Sequence, residues 1–162
     1  MTSIQCRLFI DECLPPELID TYLRPHIALA GIAAETVHCV EKFGPNGKWK
    51  DPDIIPELAR DRRWVVITAD RGKNSSTFDG MRHLCRLHNV TLICISTAVN
   101  IRGLSFYGPQ LLSHWDAMLC LSDGPRGQQY VLRMDAASKR TLFHATHCPS
   151  GYRLDKGRCV QK

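Results

Sequence analysis

Four short apolar runs, separated by segments with helical spacing, most strongly constrain the fold of this chain. The runs are Cys6–Ile10, Glu35–Val40, Trp64–Thr68 and Thr91–Ile95. Each run has the length of a buried strand. Strands that alternate with helices form βαβ units, which place the strands parallel to one another in one sheet. The pattern therefore predicts an α/β fold with a central, mainly parallel sheet.

Helical segments are predicted in each connection between these runs and once more after the last run. They are Glu17–Leu23, a segment from Asp51 or Asp53 to Ala59, Phe78–His88, and Tyr107–Leu121. Beyond the last helix, Tyr130–Met134 and Thr141–Ala145 predict a hairpin, at the edge of the sheet or beside it. We therefore expect a C-terminal extension made of a helix and a hairpin.

Length and composition predict one ordinary globular domain. The chain has 162 residues, of which 44% are hydrophobic and 23% charged. No apolar stretch approaches the roughly 18–20 residues needed to cross a bilayer, and the N-terminus lacks the features of a signal peptide. We therefore expect a cytoplasmic location and no membrane partner. We predict a domain over residues 1–147, followed by a tail over residues 148–162.

The chain holds eight cysteines, whose placement favours reduced and mostly buried thiols. Cys6, Cys39 and Cys94 lie in strand-like runs, and Cys85 and Cys120 follow helical patterns. Free cysteine is a common small core residue, whereas disulfides are rare in the cytosol.

Acidic residues stand where strands end or a helix begins. Asp11 follows the first run, Asp70 follows the third, and Asp51 and Asp53 open a helical segment between them. The carboxyl ends of parallel strands share one crevice, where ligands bind. Carboxylates that converge there repel one another unless a cation neutralises them, and oxygen ligands suit Mg²⁺ or Mn²⁺. Glu12 points to the opposite side if the strand continues, so we leave it out of the ligand set.

Basic and aromatic residues flank these acids, and the net charge of +5 permits contacts with phosphates. Thr68, two residues before Asp70, can orient a ligand, contact phosphate or be a structural strand residue. The candidates for nucleic-acid binding are Lys48, Trp49, Lys50, Thr68, Arg71 and Lys73. Among them, Trp49 has the side chain that can stack on a base.

A second group of chemically active residues lies near the C-terminus. It consists of His144, His147, Cys148 and Cys159. Histidine and cysteine at this density can bind Zn²⁺, which takes four tetrahedral ligands. A disulfide between Cys148 and Cys159 and a tail of unrelated residues are the alternatives.

Three motifs in order carry a family resemblance. They are Asp11-Glu12-Cys13-Leu14-Pro15-Pro16, Asp51-Pro52-Asp53-Ile54-Ile55-Pro56-Glu57-Leu58-Ala59 and Val65-Val66-Ile67-Thr68-Ala69-Asp70. Over about residues 6–98 the chain resembles the PIN-like nuclease superfamily, especially its compact branch that opens with an Asp-Glu-x-Leu-Pro-Pro motif. The resemblance implies a three-layer α/β/α fold that gathers acids around a divalent metal.

The resemblance also implies roles for particular acids. Asp11 and Asp70 take the positions of strand-end ligands, and Asp51 falls on the acid ahead of the helix, with Asp53 as its competitor. Asp79 stands where relatives often place a glutamate, and its shorter side chain suits binding through water. No clear equivalent exists for the glutamate that larger PIN nucleases carry on an early helix.

The first hypothesis for function is therefore an Mg²⁺- or Mn²⁺-dependent endoribonuclease that acts on single-stranded RNA. Asp11, Asp51 and Asp70 are its candidate catalytic residues. Many relatives are toxins of toxin–antitoxin pairs and many pair as dimers, so an antitoxin protein and a homodimer are the expected partners. The alternative is a catalytically weak PIN-like module that binds nucleic acid or protein. A third hypothesis is an effector whose C-terminal His/Cys group senses metal or redox state.

Overall fold

A computed structural model shows one continuous eight-stranded sheet with helices on both faces. It describes residues 6–45, 48–61, 63–69, 75–96, 104–115, 118–119, 121, 124–134, 140–143, 148, 151–156 and 158–162. The strands are β1 Cys6–Ile10, β2 Ala34–His38, β3 Trp64–Thr68, β4 Thr91–Ser96, β5 Gln129–Met134, β6 Arg140–Phe143, β7 Tyr152–Asp155 and β8 Arg158–Gln161. The helices are a π-helix at Ile19–Leu23, α1 Arg24–Ala30, α2 Cys39–Phe43, α3 Asp51–Arg60, α4 Ser75–Leu87 and α5 Leu104–Ser113.

The central part of the sheet is parallel, as the sequence pattern predicts. The strand order is β2-β1-β3-β4-β5-β6-β8-β7, and the first five strands all run in the same direction. In this register the last residue of β1, Ile10, pairs with His38 of β2 and with Ile67 of β3. The carboxyl ends of these strands therefore meet at one edge of the sheet, which is where a ligand crevice forms in α/β folds.

Successive side chains of the central strands supply two separate cores. In β1, Leu8 and Ile10 face a core built with the π-helix and α5, whereas Phe9 faces a core built with α3 and α4. This division follows from the two-residue period of a strand, which sends neighbouring side chains to opposite faces. Helices thus cover both faces of the sheet, and the predicted three-layer α/β/α arrangement is confirmed.

The second predicted strand, Glu35–Val40, ends earlier than expected because His38 starts a helix. His38 Nδ1 accepts a hydrogen bond from the Val40 N–H at 3.1 Å, and its Nε2 lies 2.8 Å from the Leu14 carbonyl oxygen. A side chain that caps the backbone in this way favours a helix start over a continuing strand. The short helix α2 follows, and no sequence pattern predicted it.

The C-terminal part extends the sheet further than expected. The predicted hairpin is present as β5 and β6, and β8 and β7 then add two more antiparallel strands. These last strands fall in residues 148–162, for which the sequence pattern predicts only a tail. Tyr152 is buried there against the core that contains Tyr130. The boundary between residues 147 and 148 stays a prediction.

The described helices lack the combination of length and apolar character that crossing a bilayer requires.

Close packing of α5 on the π-helix predicts that Gly108→Ala is destabilising. A Cβ at Gly108 lies 2.5 Å from the ring of Tyr22, so the ring or the helix must move. We expect a loss of about 1–3 kcal/mol in unfolding free energy, measured by urea denaturation. The matched control is Gly80→Ala in α4, where the added Cβ meets no described atom within 4 Å apart from the backbone of its own helix. That variant is expected to gain up to about 1 kcal/mol, and equal effects of the two substitutions would contradict the packing argument.

The buried thiol of Cys85 predicts an alkaline loss of stability. Burial, with the negative charges of Asp51 and Asp11, raises the pKa of Cys85 from 9.0 to about 12. Between these values the unfolded chain has released the proton and the folded chain still holds it. The contribution of Cys85 to unfolding free energy therefore falls by about 1.4 kcal/mol per pH unit above about pH 9.

The measurement compares urea unfolding of the wild-type protein and Cys85→Ala at successive pH values. The stability difference between the two proteins is expected to shrink as pH rises. Val90→Ala removes a buried side chain of the same core that does not titrate, so its stability difference is expected to stay constant. A Cys85→Ala difference that is independent of pH would rule out the shifted thiol.

Candidate functional site

A cleft of about 300 Å³ opens at the carboxyl end of β1, beside the N-terminus of α3. Its polar lining comes from Asp11, Glu12, Cys13, Lys50 and Asp51, and Trp49 adds an aromatic wall. Two of the acids predicted from the sequence, Asp11 and Asp51, therefore meet in one cleft. They lie 40 positions apart in the chain. The fold brings them together because β1 ends, and α3 begins, at the same edge of the sheet.

Asp11 is held rigidly at the end of β1. Its backbone N–H donates to the Ile67 carbonyl oxygen at 3.0 Å, which continues the pairing of β1 with β3. Its Oδ2 accepts a hydrogen bond from Thr68 Oγ1 at 2.8 Å, and its Oδ1 accepts one from the Glu12 N–H at 2.9 Å. The carboxylate is nearly buried, with 7% of the residue exposed. Its orientation is thus set by the end of β3 and by the turn that follows β1.

The thiol of Cys13 completes the surroundings of Asp11. Cys13 Sγ donates to Asp11 Oδ2 at 3.2 Å and accepts a hydrogen bond from the Ala69 N–H at 3.2 Å. Burial of the sulfur, followed by the negative charge of Asp11, raises the pKa of Cys13 to about 12. The thiol therefore stays protonated at neutral pH and acts as a hydrogen-bond donor. Although the residue as a whole is exposed, its sulfur connects the ends of β1 and β3.

Asp51 and Asp53 have different positions in the structure. Asp51 is the first residue of α3 and lines the cleft with Asp11. Asp53 is exposed, and its Oδ2 accepts a hydrogen bond from the Lys50 N–H at 3.4 Å. This contact belongs to the capping arrangement at the start of α3, where an acid also complements the helix dipole. Geometry therefore separates the two acids that the sequence leaves in competition.

The negative charges of the cleft also affect the pKa of the nearby thiol of Cys39. Burial raises the pKa of Cys39 to about 11, and the charges of Asp11, Glu12 and Asp51 add to the increase. Lys50 is the one basic residue among those that line the described part of the cleft. Carboxylates that line one cleft with so little compensation would attract a cation, and their oxygen atoms suit Mg²⁺ or Mn²⁺.

The rim of the cleft is basic and aromatic. Trp49 is 43% exposed, and its ring centroid lies 5.0 Å from that of Phe43. Lys48 and Lys50 flank Trp49 in the chain and are both exposed. The Trp49 ring is thus supported on one side by Phe43 while much of its surface stays open to solvent. An aromatic side chain held in this way can stack on a base.

Several predicted site residues lie outside the described residues. They are Asp70, Arg71, Lys73, His144 and His147. The side chains of Asp79, in α4, and of Cys159, in β8, are also outside the description. Cys148 is half-buried and its thiol is free. Within the described residues alone, no group of three His, Cys, Asp or Glu side chains is arranged to hold a metal ion. The zinc site and the acids Asp70 and Asp79 therefore remain predictions.

Two residues that line the cleft were missed by reasoning from the sequence. Cys13 belongs to the quoted Asp-Glu-Cys-Leu-Pro-Pro motif, but nothing in the motif shows that its sulfur turns back onto Asp11. Glu12 was set aside on the assumption that the strand continues. In fact β1 ends at Ile10 and the chain turns, so Glu12 also lines the cleft. The alternation of side chains along a strand therefore does not predict where a side chain points once the strand has ended.

Comparison with known proteins supports the fold-level conclusion. Comparisons with curated proteins and with solved structures found no match. A family model described as a PIN-like domain matches residues 6–78, a range that includes β1, α3, β3 and the whole described lining of the cleft except Met81. PIN-like domains are generally nucleases, so the match indicates a nuclease-type module. The N-terminal part of this chain, over residues 6–78, is thus similar to PIN-like domains, and the match supports a place in the PIN-like superfamily.

Proposed function

We propose that this protein is a divalent-metal-dependent endoribonuclease that cleaves single-stranded RNA. The observation that carries the proposal is the shared cleft of Asp11 and Asp51 at the carboxyl end of the parallel strands. Buried and oriented carboxylates in such a crevice are suited to holding Mg²⁺ or Mn²⁺. A bound metal would activate water and stabilise the charge that develops on the phosphodiester oxygens.

The hydrogen bonds around Asp11 indicate how it would bind the metal. In the described structure Oδ2 accepts two hydrogen bonds, from Thr68 and Cys13, and Oδ1 accepts one, from Glu12. A carboxylate has about four lone-pair sites, so one site on Oδ1 is left. We infer that Asp11 binds through Oδ1, while Thr68 and Cys13 hold the other oxygen. Asp51 and Asp70 would complete the ligands, with Asp79 bound through water.

The residues at the rim of the cleft suit a single-stranded substrate. A base can stack on Trp49 only when its face is free, which is the case in a single strand. Lys48 and Lys50, which flank Trp49 in the chain and are exposed, would contact phosphates. Arg71 and Lys73, which follow Asp70 in the chain, would add further phosphate contacts. Recognition in this arrangement depends on stacking and charge.

The remaining parts of the proposal concern cellular context. The described thiols of Cys13, Cys39, Cys85 and Cys148 form no disulfide, which suits a reducing cytoplasm. We propose that the nuclease acts there, and that it is the toxin of a toxin–antitoxin pair restrained by an antitoxin protein. A homodimer is the proposed assembly. These parts rest on the likeness to PIN-like nucleases.

The different positions of Asp51 and Asp53 give a sharp test of the metal centre. Asp51→Asn removes a charge from the cleft, and Asp53→Asn removes the same charge from an exposed cap. We expect Asp51→Asn and Asp11→Asn to lower Mn²⁺-dependent cleavage of a single-stranded RNA by more than about 100-fold. Asp53→Asn is expected to keep most of the activity. Mn²⁺ affinity, measured by calorimetry, is expected to follow the same order.

Three outcomes of this experiment carry different conclusions. Equal losses in Asp51→Asn and Asp53→Asn would show that the geometry of the cleft does not determine activity. A wild-type protein that binds single-stranded RNA but cuts nothing with Mg²⁺ or Mn²⁺ would replace the nuclease by the catalytically weak binding module. Full activity in Asp11→Asn would refute the proposed metal centre.

Stacking on Trp49 predicts a loss of RNA affinity in Trp49→Ala. Base–aromatic stacking contributes about 1–3 kcal/mol, so we expect the dissociation constant for RNA to rise roughly tenfold. Binding is measured by fluorescence anisotropy with a labelled single strand, in EDTA to prevent cleavage. Trp49→Phe is expected to recover much of the affinity. Leu29→Ala, which removes another exposed hydrophobic side chain, serves as the control, and an equal loss in that variant would argue against stacking.

A further inference from the structure

A second cavity lies at the opposite end of the sheet from the acidic cleft. Its volume is about 220 Å³, and it is bordered by Trp64 at the start of β3, Thr91 at the start of β4 and Leu58 near the end of α3. The loop before β5 closes it through Gly124 and Arg126. The five residues of β3 separate the two ends by roughly 16 Å, at about 3.3 Å per residue. The cavity is therefore distinct from the proposed metal centre.

This cavity is basic where the first cleft is acidic. Arg63, His88 and Arg126 line it, with Asn89 as a further polar side chain. Its lining contains no aspartate or glutamate among the described residues. Arg63 and Arg126, both exposed, bring positive charge to this cavity, and no carboxylate of the described lining offsets it. A bound anion would relieve their repulsion.

Five of the other six arginines with described side chains have polar partners. Arg7, Arg24 and Arg60 form ion pairs with acids. Arg82 and Arg86 donate hydrogen bonds to the Gln129 side chain. Among arginines with described side chains, those without a described polar partner are Arg63, Arg126 and Arg153. Two of these three line the same cavity.

Arg63 also has an unusual backbone conformation next to the cavity. Arg63 has φ 79°, in the left-handed region that a residue with a side chain rarely adopts. Such a conformation costs roughly 1 kcal/mol or more and is retained where the surroundings require it. Here it places Arg63 at the rim, directly before β3.

Helix capping does not account for these basic residues. The C-terminal carbonyl groups of α4 already accept backbone hydrogen bonds. The N–H groups of His88, Asn89 and Val90 donate to the carbonyl oxygens of Leu84, Arg86 and Cys85. Asn89, with φ 57°, forms the left-handed end of this helix. The charges of Arg63 and Arg126 are therefore available to a ligand.

We propose that this cavity binds the phosphate group of a nucleotide or of a nucleic-acid strand. Guanidinium groups bind the oxygen atoms of phosphate with two parallel hydrogen bonds, a geometry that a lysine does not supply. A water molecule takes up about 30 Å³ in the liquid, so the cavity has room for more than a lone phosphate. A phosphate with its attached sugar fits this volume and charge. The site is independent of the proposed metal centre.

Binding can be tested in metal-free buffer with EDTA, which keeps the result separate from any nuclease activity. The probes are inorganic phosphate, a nucleoside 5′-monophosphate and a short single-stranded RNA, each titrated and followed by NMR. The variant Arg63→Ala/Arg126→Ala is compared with Arg153→Ala, which removes an exposed arginine away from the cavity. Thermal unfolding confirms that each variant is folded, and the single variant Arg126→Ala covers the case in which the double variant is not.

We expect the wild-type protein to bind the nucleotide or the RNA, with shifted resonances around Asn89 and Gly124. The double variant is expected to bind at least about tenfold more weakly, whereas Arg153→Ala changes the affinity less than about twofold. Binding of the mononucleotide would identify a small-molecule site, and binding of the RNA alone would identify a strand contact. The proposal is overturned if no probe binds at millimolar concentration, or if Arg153→Ala weakens binding as much as the double variant.

Discussion

The hydrogen bonds that hold Asp11 between two strands are the contacts on which the candidate site depends. The Asp11 N–H extends the pairing of β1 with β3, and Thr68 then fixes the side chain from the end of β3. Cys13 adds a third connection, because its sulfur contacts both Asp11 and the Ala69 N–H. A carboxylate with this many partners keeps one orientation. The position of the Asp11 carboxylate is therefore defined relative to β1 and β3.

The parallel sheet separates charge along its own length. The acidic cleft lies at the carboxyl end of β1, and the basic cavity lies at the amino ends of β3 and β4. In an antiparallel sheet, neighbouring strands would mix the two kinds of end at each edge. The βαβ connections instead keep like ends together, so residues far apart in the chain meet at one edge, acidic at the carboxyl end and basic at the amino end in this protein.

The central part of the fold could be predicted from the sequence, because strands β1 and β3 are largely buried. The run Trp64–Thr68 coincides with β3, since five consecutive buried residues leave no solvent face to obscure its limits. The end of β2 was missed because His38 caps a helix through its side chain, which hydrophobic periodicity does not detect. The last two strands were missed because Arg153, Leu154 and Asp155 are exposed, so β7 has little apolar pattern.

The sequence by itself determined the alternation of β1 to β4 with helices and placed Asp11 and Asp51 next to these elements, because burial periodicity and turn residues act locally. It also identified Asp11 and Asp51 as candidates for one cleft. Only the tertiary structure separated Asp51 from Asp53, brought Cys13 onto Asp11, and gathered Arg63 with Arg126 around one cavity. These relations depend on how distant segments pack together and on the direction in which each side chain turns, and neither is encoded in local spacing.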